Sequence, residues 1–263
     1  IVRNNHWDLY PLSKAIGAYR PLISSLFVDR TSKEPKPAQP LAEIVDEAVR
    51  LVRRARPKGP YVLAGHCALG AVAFEAARRL KKEGEEVSLV VLLDAEPNRR
   101  FKGIPFRQKL KNAAIHYGRD ARWLFALWAE KKVNLLYVVA RYRTVRKSGL
   151  LGLAKALGFK ERWNDEDFHT QHVVDAWIDH VTTPYDGDVV IYRALPHERL
   201  GFLDRWAPWV PIWRSVIGNR LTVQELKVAH AEIFREPSAK QIGAHMTELL
   251  ATIEHASAAR KAA

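Results

Sequence analysis

The sequence predicts an α/β domain with a mostly parallel central sheet and a helical insertion. Three observations carry this reading. Short apolar runs alternate with amphipathic stretches of helical period, the signature of strand–helix–strand units. One run, Val87 to Leu93 (VSLVVLL), is apolar at nearly every position, as a strand covered on both faces must be. Between about Arg99 and Thr183 the strand pattern stops, leaving an insertion of helical periodicity rich in aromatics.

Taken in order, Leu22 to Val28 is expected to be a buried strand, followed by a polar, proline-rich loop from Asp29 to Pro40. A helix is expected from Leu41 to Arg54, because Leu41, Ile44, Val45, Ala48, Leu51 and Val52 recur on one face. Pro57, Gly59 and Pro60 end it. Tyr61–Ala64 reads as a short buried strand, and a turn over Gly65–Gly70 leads into a helix from about Ala71 to Lys81, closed by Gly84. After Val87–Leu93 and the insertion, strands resume at Gly187–Ala194 and Leu221–Val228. A last helix covers about Ser238 to Ile253. The expected organisation is one domain over residues 1–263, with a core of 1–98 and 184–263 and a helical lid over 99–183. The chain opens on Ile1 and ends in a small-residue tail, Ala256–Ala263, expected to fray, so it reads as the last domain of a larger enzyme.

Composition excludes some classes. No run reaches the roughly 18 apolar residues a spanning helix needs. A single cysteine rules out an internal disulfide and fits a reducing, cytoplasmic setting. The net charge of +13 is concentrated: Arg99 to Arg162 holds 17 Lys and Arg against 3 Asp and Glu. Such a basic segment suits an acidic partner protein or an anionic substrate group, and equally a solvated helical face. No nucleic-acid-binding motif accompanies it, and no membrane contact is expected.

The main chemical signal is Gly65-His66-Cys67-Ala68-Leu69-Gly70, set between a buried strand and an amphipathic helix. This is the setting of a nucleophile elbow, usually G-x-S-x-G, which projects a nucleophile above the sheet. The helix N-terminus favours a thiolate and a developing oxyanion, with the Ala68 N–H as one oxyanion donor. Two departures stand out. Cys67 replaces serine, and Leu69 replaces the second glycine, a place that Gly70 fills in part. A buried, inert cysteine is the plain alternative. In this topology the acid and base follow the nucleophile in that order. Asp94 ends the next strand, 27 residues after Cys67, and His230 lies between the last strand and the last helix. His169 and His172 stand where the insertion returns to the core and are expected to be ordinary helix-surface residues rather than a second base.

Four stretches resemble thioesterase domains of non-ribosomal peptide and polyketide synthases: GPYVLAGHCALGAVAFEAARRL, VSLVVLLDAEP, YDGDVVIYRA and HAEIFREP. The resemblance implies an α/β-hydrolase fold, a lid over an acyl chamber, and a triad of Cys67, Asp94 and His230. It implies no bound cofactor; the substrate would arrive on the phosphopantetheine arm of a carrier protein. Aligning the family's Y-x-x-L with Tyr10–Ser13 places the second oxyanion donor near Arg3 or Asn4, where residues 3–6 replace the family's glycines. In its cysteine the chain resembles members that form β-lactone or monobactam-type β-lactam rings. A cysteine keeps the acyl group as a thioester, so cyclising or aminolytic release is expected over hydrolysis. The alternatives are a hydrolytic or editing thioesterase and a non-catalytic module that only docks a carrier protein.

Overall fold

The computed structural model describes residues 9–17, 22–24, 39–97, 100–129, 173, 176–177, 180–195 and 210–262. Four parallel strands form its sheet: β1 (Tyr61–His66), β2 (Val87–Leu93), β5 (Val189–Ala194) and β6 (Leu221–Leu226), in the spatial order β1-β2-β5-β6.

Alternation along the two central strands divides the core. Val90 and Leu92 of β2 and Val189 and Ile191 of β5 pack on one face, with helices α2 (Leu41–Ala55) and α3 (Leu69–Lys82). Leu89, Val91 and Leu93 of β2 and Val190 and Tyr192 of β5 pack on the other, with α1 (Tyr10–Ile16) and α6 (Ser238–Ala262). Both faces are therefore apolar, which is why VSLVVLL shows no polar alternation. Each fully buried leucine or valine contributes about 1.5–3 kcal/mol.

The helices bury the faces their spacing dictates. On α2 these are Leu41, Ile44, Val45, Ala48 and Val49. Leu51 and Val52, expected on that face, are only partly buried. On α6 they are Ala239, Ile242, Met246 and Leu250. Gly243 lets α6 approach α1 closely, since a side chain there would strike Ala15. The buried indole of Trp213, on α5 (Val210–Ile217), packs on Phe74 of α3 at 5.0 Å between ring centroids.

The structure amends several expectations. Leu22–Ser24 is irregular, with Ile23 57% exposed, so no buried strand begins there; residues 25–28 lie outside the described residues. Helix α3 starts at Leu69, two residues early, and β6 ends at Leu226. Helix α6 continues to Ala262 through the tail expected to fray, a stretch of helix-favouring Ala, Lys and Arg. Helices α1 and α5 have no counterpart in the sequence reading. Within the insertion α4 (Phe106–Ala129) is helical as expected. Its two ends, however, pair as a short parallel ladder, β3 (Arg100–Phe101) with β4 (Val181–Thr182). No described helix is long and apolar enough to cross a membrane.

Candidate active site

Cys67 is the first residue beyond β1. Its N–H donates to Leu93 O at 3.0 Å, continuing the β1–β2 ladder by one rung, and its φ is +53°. That left-handed conformation is costly for a residue with a Cβ and marks a backbone held by its surroundings. The turn is tight enough that Gly65 admits no side chain: a Cβ there would collide with Leu69 O and lie 2.7 Å from Gly70 Cα, both backbone. Gly70 in turn lies against Ala95 Cβ, so a glycine at 70 brings α3 close to the end of β2. Leu69, the apparent departure from the elbow pattern, is buried in the core. Cys67 itself is exposed, which removes the inert buried cysteine as a reading.

Asp94 repeats this arrangement one strand over. It is the first residue after β2, its N–H donates to Tyr192 O at 2.7 Å, and its φ is +46°. The carboxylate is fixed by two donors. Oδ1 accepts from the Ala194 N–H at 3.0 Å, and Oδ2 lies 2.6 Å from His230 Nδ1. Behind it, the buried Trp213 Nε1–H donates to Ala95 O at 2.9 Å, bracing the turn.

His230 opens a short 3-10 turn (His230–Glu232) after β6. Burial pushes its imidazolium down, but the hydrogen bond to Asp94 and the Cys67 side chain beside the ring prevail. The ring holds its proton well above the ordinary histidine range. Its side chain keeps 38% of its surface open, so the pair with Cys67 is reachable from solvent. The structure thus brings Cys67, Asp94 and His230 together, as a nucleophile, an orienting acid and a base would have to be.

Ala68 precedes α3, so its N–H belongs to the first amides, which a helix leaves without an internal acceptor. Arg3 and Asn4, the other expected oxyanion residues, and His169 and His172 lie outside the described residues. Among the described residues no group of three His, Cys, Asp or Glu could hold a metal ion. A cavity of about 600 Å³ between α2, α3 and residues 180–186 is lined by Leu41, Glu75, Arg78, His180 and Tyr185 among others. None of the three residues above borders it.

Sequence reasoning missed His66, whose ring stacks on His230 with centroids 4.5 Å apart and planes 26° apart. It also missed Trp213 and the Ala194 amide as supports of Asp94. His66 was visible inside the elbow motif, but nothing in the sequence showed which ring it would meet.

A thioesterase-domain family model matches residues 10–108, the stretch that contains Cys67 and Asp94. Two solved structures align over most of the chain. The four-domain nonribosomal peptide synthetase AB3403, bound to AMP and glycine, is 17% identical with a TM-score of 0.57, over 94% of this chain and 18% of that one. The NocB thioesterase domain, in covalent complex with a fluorophosphonate nocardicin G analogue, is 20% identical with a TM-score of 0.50, over 86% of this chain and 82% of that one. The chain has the α/β-hydrolase fold. Among curated proteins, the probable non-canonical nonribosomal peptide synthetase CymA of Salinispora arenicola (strain CNS-205) is 24% identical over 84% of this chain. The chain spans 3% of that synthetase's length. The family match supports a thioesterase-type domain, and the two structures show the fold.

Proposed function

We propose that the chain is a chain-releasing thioesterase domain of a nonribosomal peptide synthetase, acting through a Cys67 acyl-enzyme. The observation that carries this reading is the exposed Cys67 at a strained elbow, beside a His230 that itself sits 2.6 Å from Asp94. The family match and the thioesterase-type neighbours support it.

The chemistry follows from the protonation state of the pair. Proton transfer from Cys67 to His230 gives the reactive thiolate beside an imidazolium. The Cys67 thiolate attacks the carbonyl carbon of an acyl or peptidyl thioester delivered on a carrier protein's phosphopantetheine arm. The carbonyl oxygen takes up the negative charge beside the Ala68 N–H, with Asn4 as the proposed second donor. The carbon–sulfur bond to the pantetheine breaks, and its sulfur leaves with the proton from His230. In the second step neutral His230 takes a proton from the acceptor as it attacks the Cys67 thioester, and Cys67 leaves as thiolate. Asp94 holds the imidazole in one tautomer and stabilises its charged form.

A cysteine sets the class of acceptor. Exchange of one thioester for another is nearly isoenergetic, so the acyl group stays activated for a weak amine or the closing of a small ring. Release by cyclisation or aminolysis is proposed over hydrolysis, with a β-lactam or β-lactone as the ring type and an anionic group on the substrate facing the basic insertion. The test is intact-protein mass spectrometry after mixing with acyl-pantetheine thioesters. The expected result is a covalent acyl adduct that Cys67→Ala lacks and that an internal amine acceptor discharges as a cyclic product. Absence of adduct and turnover across several acyl chains would leave only a docking module. Discharge to free acid alone would make the domain a hydrolase.

A further inference from the structure

We propose that His66 is a positioning residue that fixes the plane of the His230 ring. The inference rests on the Cys67–His230 pairing argued above. One hydrogen bond from Nδ1 to Asp94 anchors the imidazole at a single point, and the ring can still swivel about that axis. Productive geometry needs the plane fixed as well, so that the second nitrogen faces sulfur while Nδ1 stays on the carboxylate. A stacked neighbour supplies that constraint. The His66 ring lies 4.5 Å from the His230 ring with 26° between planes. The same ring meets the Phe234 ring, 5.0 Å away and edge-on at 72°.

The connectivity gives the contact its meaning. His230 and Phe234 belong to one short segment after β6, and His66 is wedged against both rings. His66 is also covalently next to Cys67. The plane of the base is therefore referenced to the backbone that carries the nucleophile, and the segment and the elbow shift together. Among the described residues, the titratable groups shown beside His230 are Asp94 after β2, Cys67 at the elbow and His66 at the end of β1.

The test uses iodoacetamide on the whole chain, because Cys67 is the single cysteine and needs no known substrate. The rate of alkylation is followed against pH for wild type, His66→Ala, His66→Phe and His230→Gln, with thermal melting of each. In wild type the high-pH limb, where His230 loses its proton, lies above the ordinary histidine range. His66→Ala is expected to slow alkylation about tenfold near neutral pH and to bring that limb down. His66→Phe keeps a flat ring and is expected to stay within about threefold of wild type with the limb in place. An unchanged rate and limb in His66→Ala overturns the proposal, as does a His66→Phe variant that is folded yet as impaired as His66→Ala. Should His66→Ala not fold, His66→Phe decides. Insensitivity to His230→Gln would instead sink the pairing, and with it the acyl-enzyme reading, so the two failures are distinguishable.

Discussion

Replacing Asp94 by Asn separates orientation of the base from its mere presence. Asparagine is the right probe because Asp94 sits at φ +46°, a region that Asn tolerates nearly as well as Asp and that Ala does not. The Ala194 N–H already holds one side-chain oxygen at 3.0 Å. An asparagine carbonyl oxygen takes that place, which turns its amide nitrogen toward His230 Nδ1. Two donors cannot share that bond, so the imidazole must carry its proton on the nitrogen facing Cys67. The base then meets the acceptor as a donor. A charge-assisted bond of 2.6 Å is also lost, worth about 1.5–3 kcal/mol. That bond alone accounts for one to two decades in rate, and the wrong tautomer takes the loss to about 10²–10⁴. The assay is single-turnover mass spectrometry with an acyl-pantetheine thioester, timing formation and discharge of the adduct. Discharge, which needs a proton acceptor, is expected to suffer more than formation, so the acyl-enzyme accumulates. A folded Asp94→Asn protein with both steps within about threefold of wild type would refute the reasoning.

Two further perturbations test the frame around the pair. Gly65→Ala drives a methyl into the backbone at Leu69 and Gly70; a stability loss of about 1–3 kcal/mol and a fall of about 100-fold in acylation are expected. Melting and acylation unchanged from wild type would show that the elbow has slack. The His230 proton supplies the second test. Because its folded value is raised, the contribution to stability is complete below about pH 6.5 and is lost as pH rises through the folded value. Thermal melts from about pH 6 to about pH 9 should fall more steeply for wild type than for His230→Gln, and parallel curves would contradict the raised value.

The parts of this site that were legible in the sequence are those set by pattern and order. The apolar run of β2 had to be a buried strand, and the residue after it had to sit at a strand end, so Asp94 was readable from one dimension. The same holds for Cys67, between a strand and an amphipathic helix, and for His230, between the last strand and the last helix. Helices α1 and α5 were not legible because seven or eight residues give barely two turns, too few for a period to emerge. The early start of α3 was hidden because Leu69 and Gly70 read as turn residues, whereas Leu69 enters the core and Gly70 meets Ala95. The His66–His230 stack and the Trp213 brace join residues distant in sequence, and no local pattern encodes which rings meet.

Register carries the argument from fold to chemistry. His66 pairs with Leu93, Leu93 with Tyr192, and Ala194 with Leu226. Each ladder then extends one rung beyond its strand, through Cys67 N–H to Leu93 O and Asp94 N–H to Tyr192 O. Cys67 and Asp94 are thus the first residues released from β1 and β2, at carboxyl ends of parallel strands where such sheets place their sites. Both take a left-handed φ at that step, so each side chain leaves the strand in a direction an extended backbone would not allow. β5 supplies the Ala194 amide that holds Asp94, and the segment after β6 supplies His230. A slip of one residue in any pairing would turn a side chain to the opposite face. The buried residues of β2 and β5, packed on both sides of the sheet, forbid that slip. The core that makes the fold stable is therefore also what sets the spacing of Cys67, Asp94 and His230.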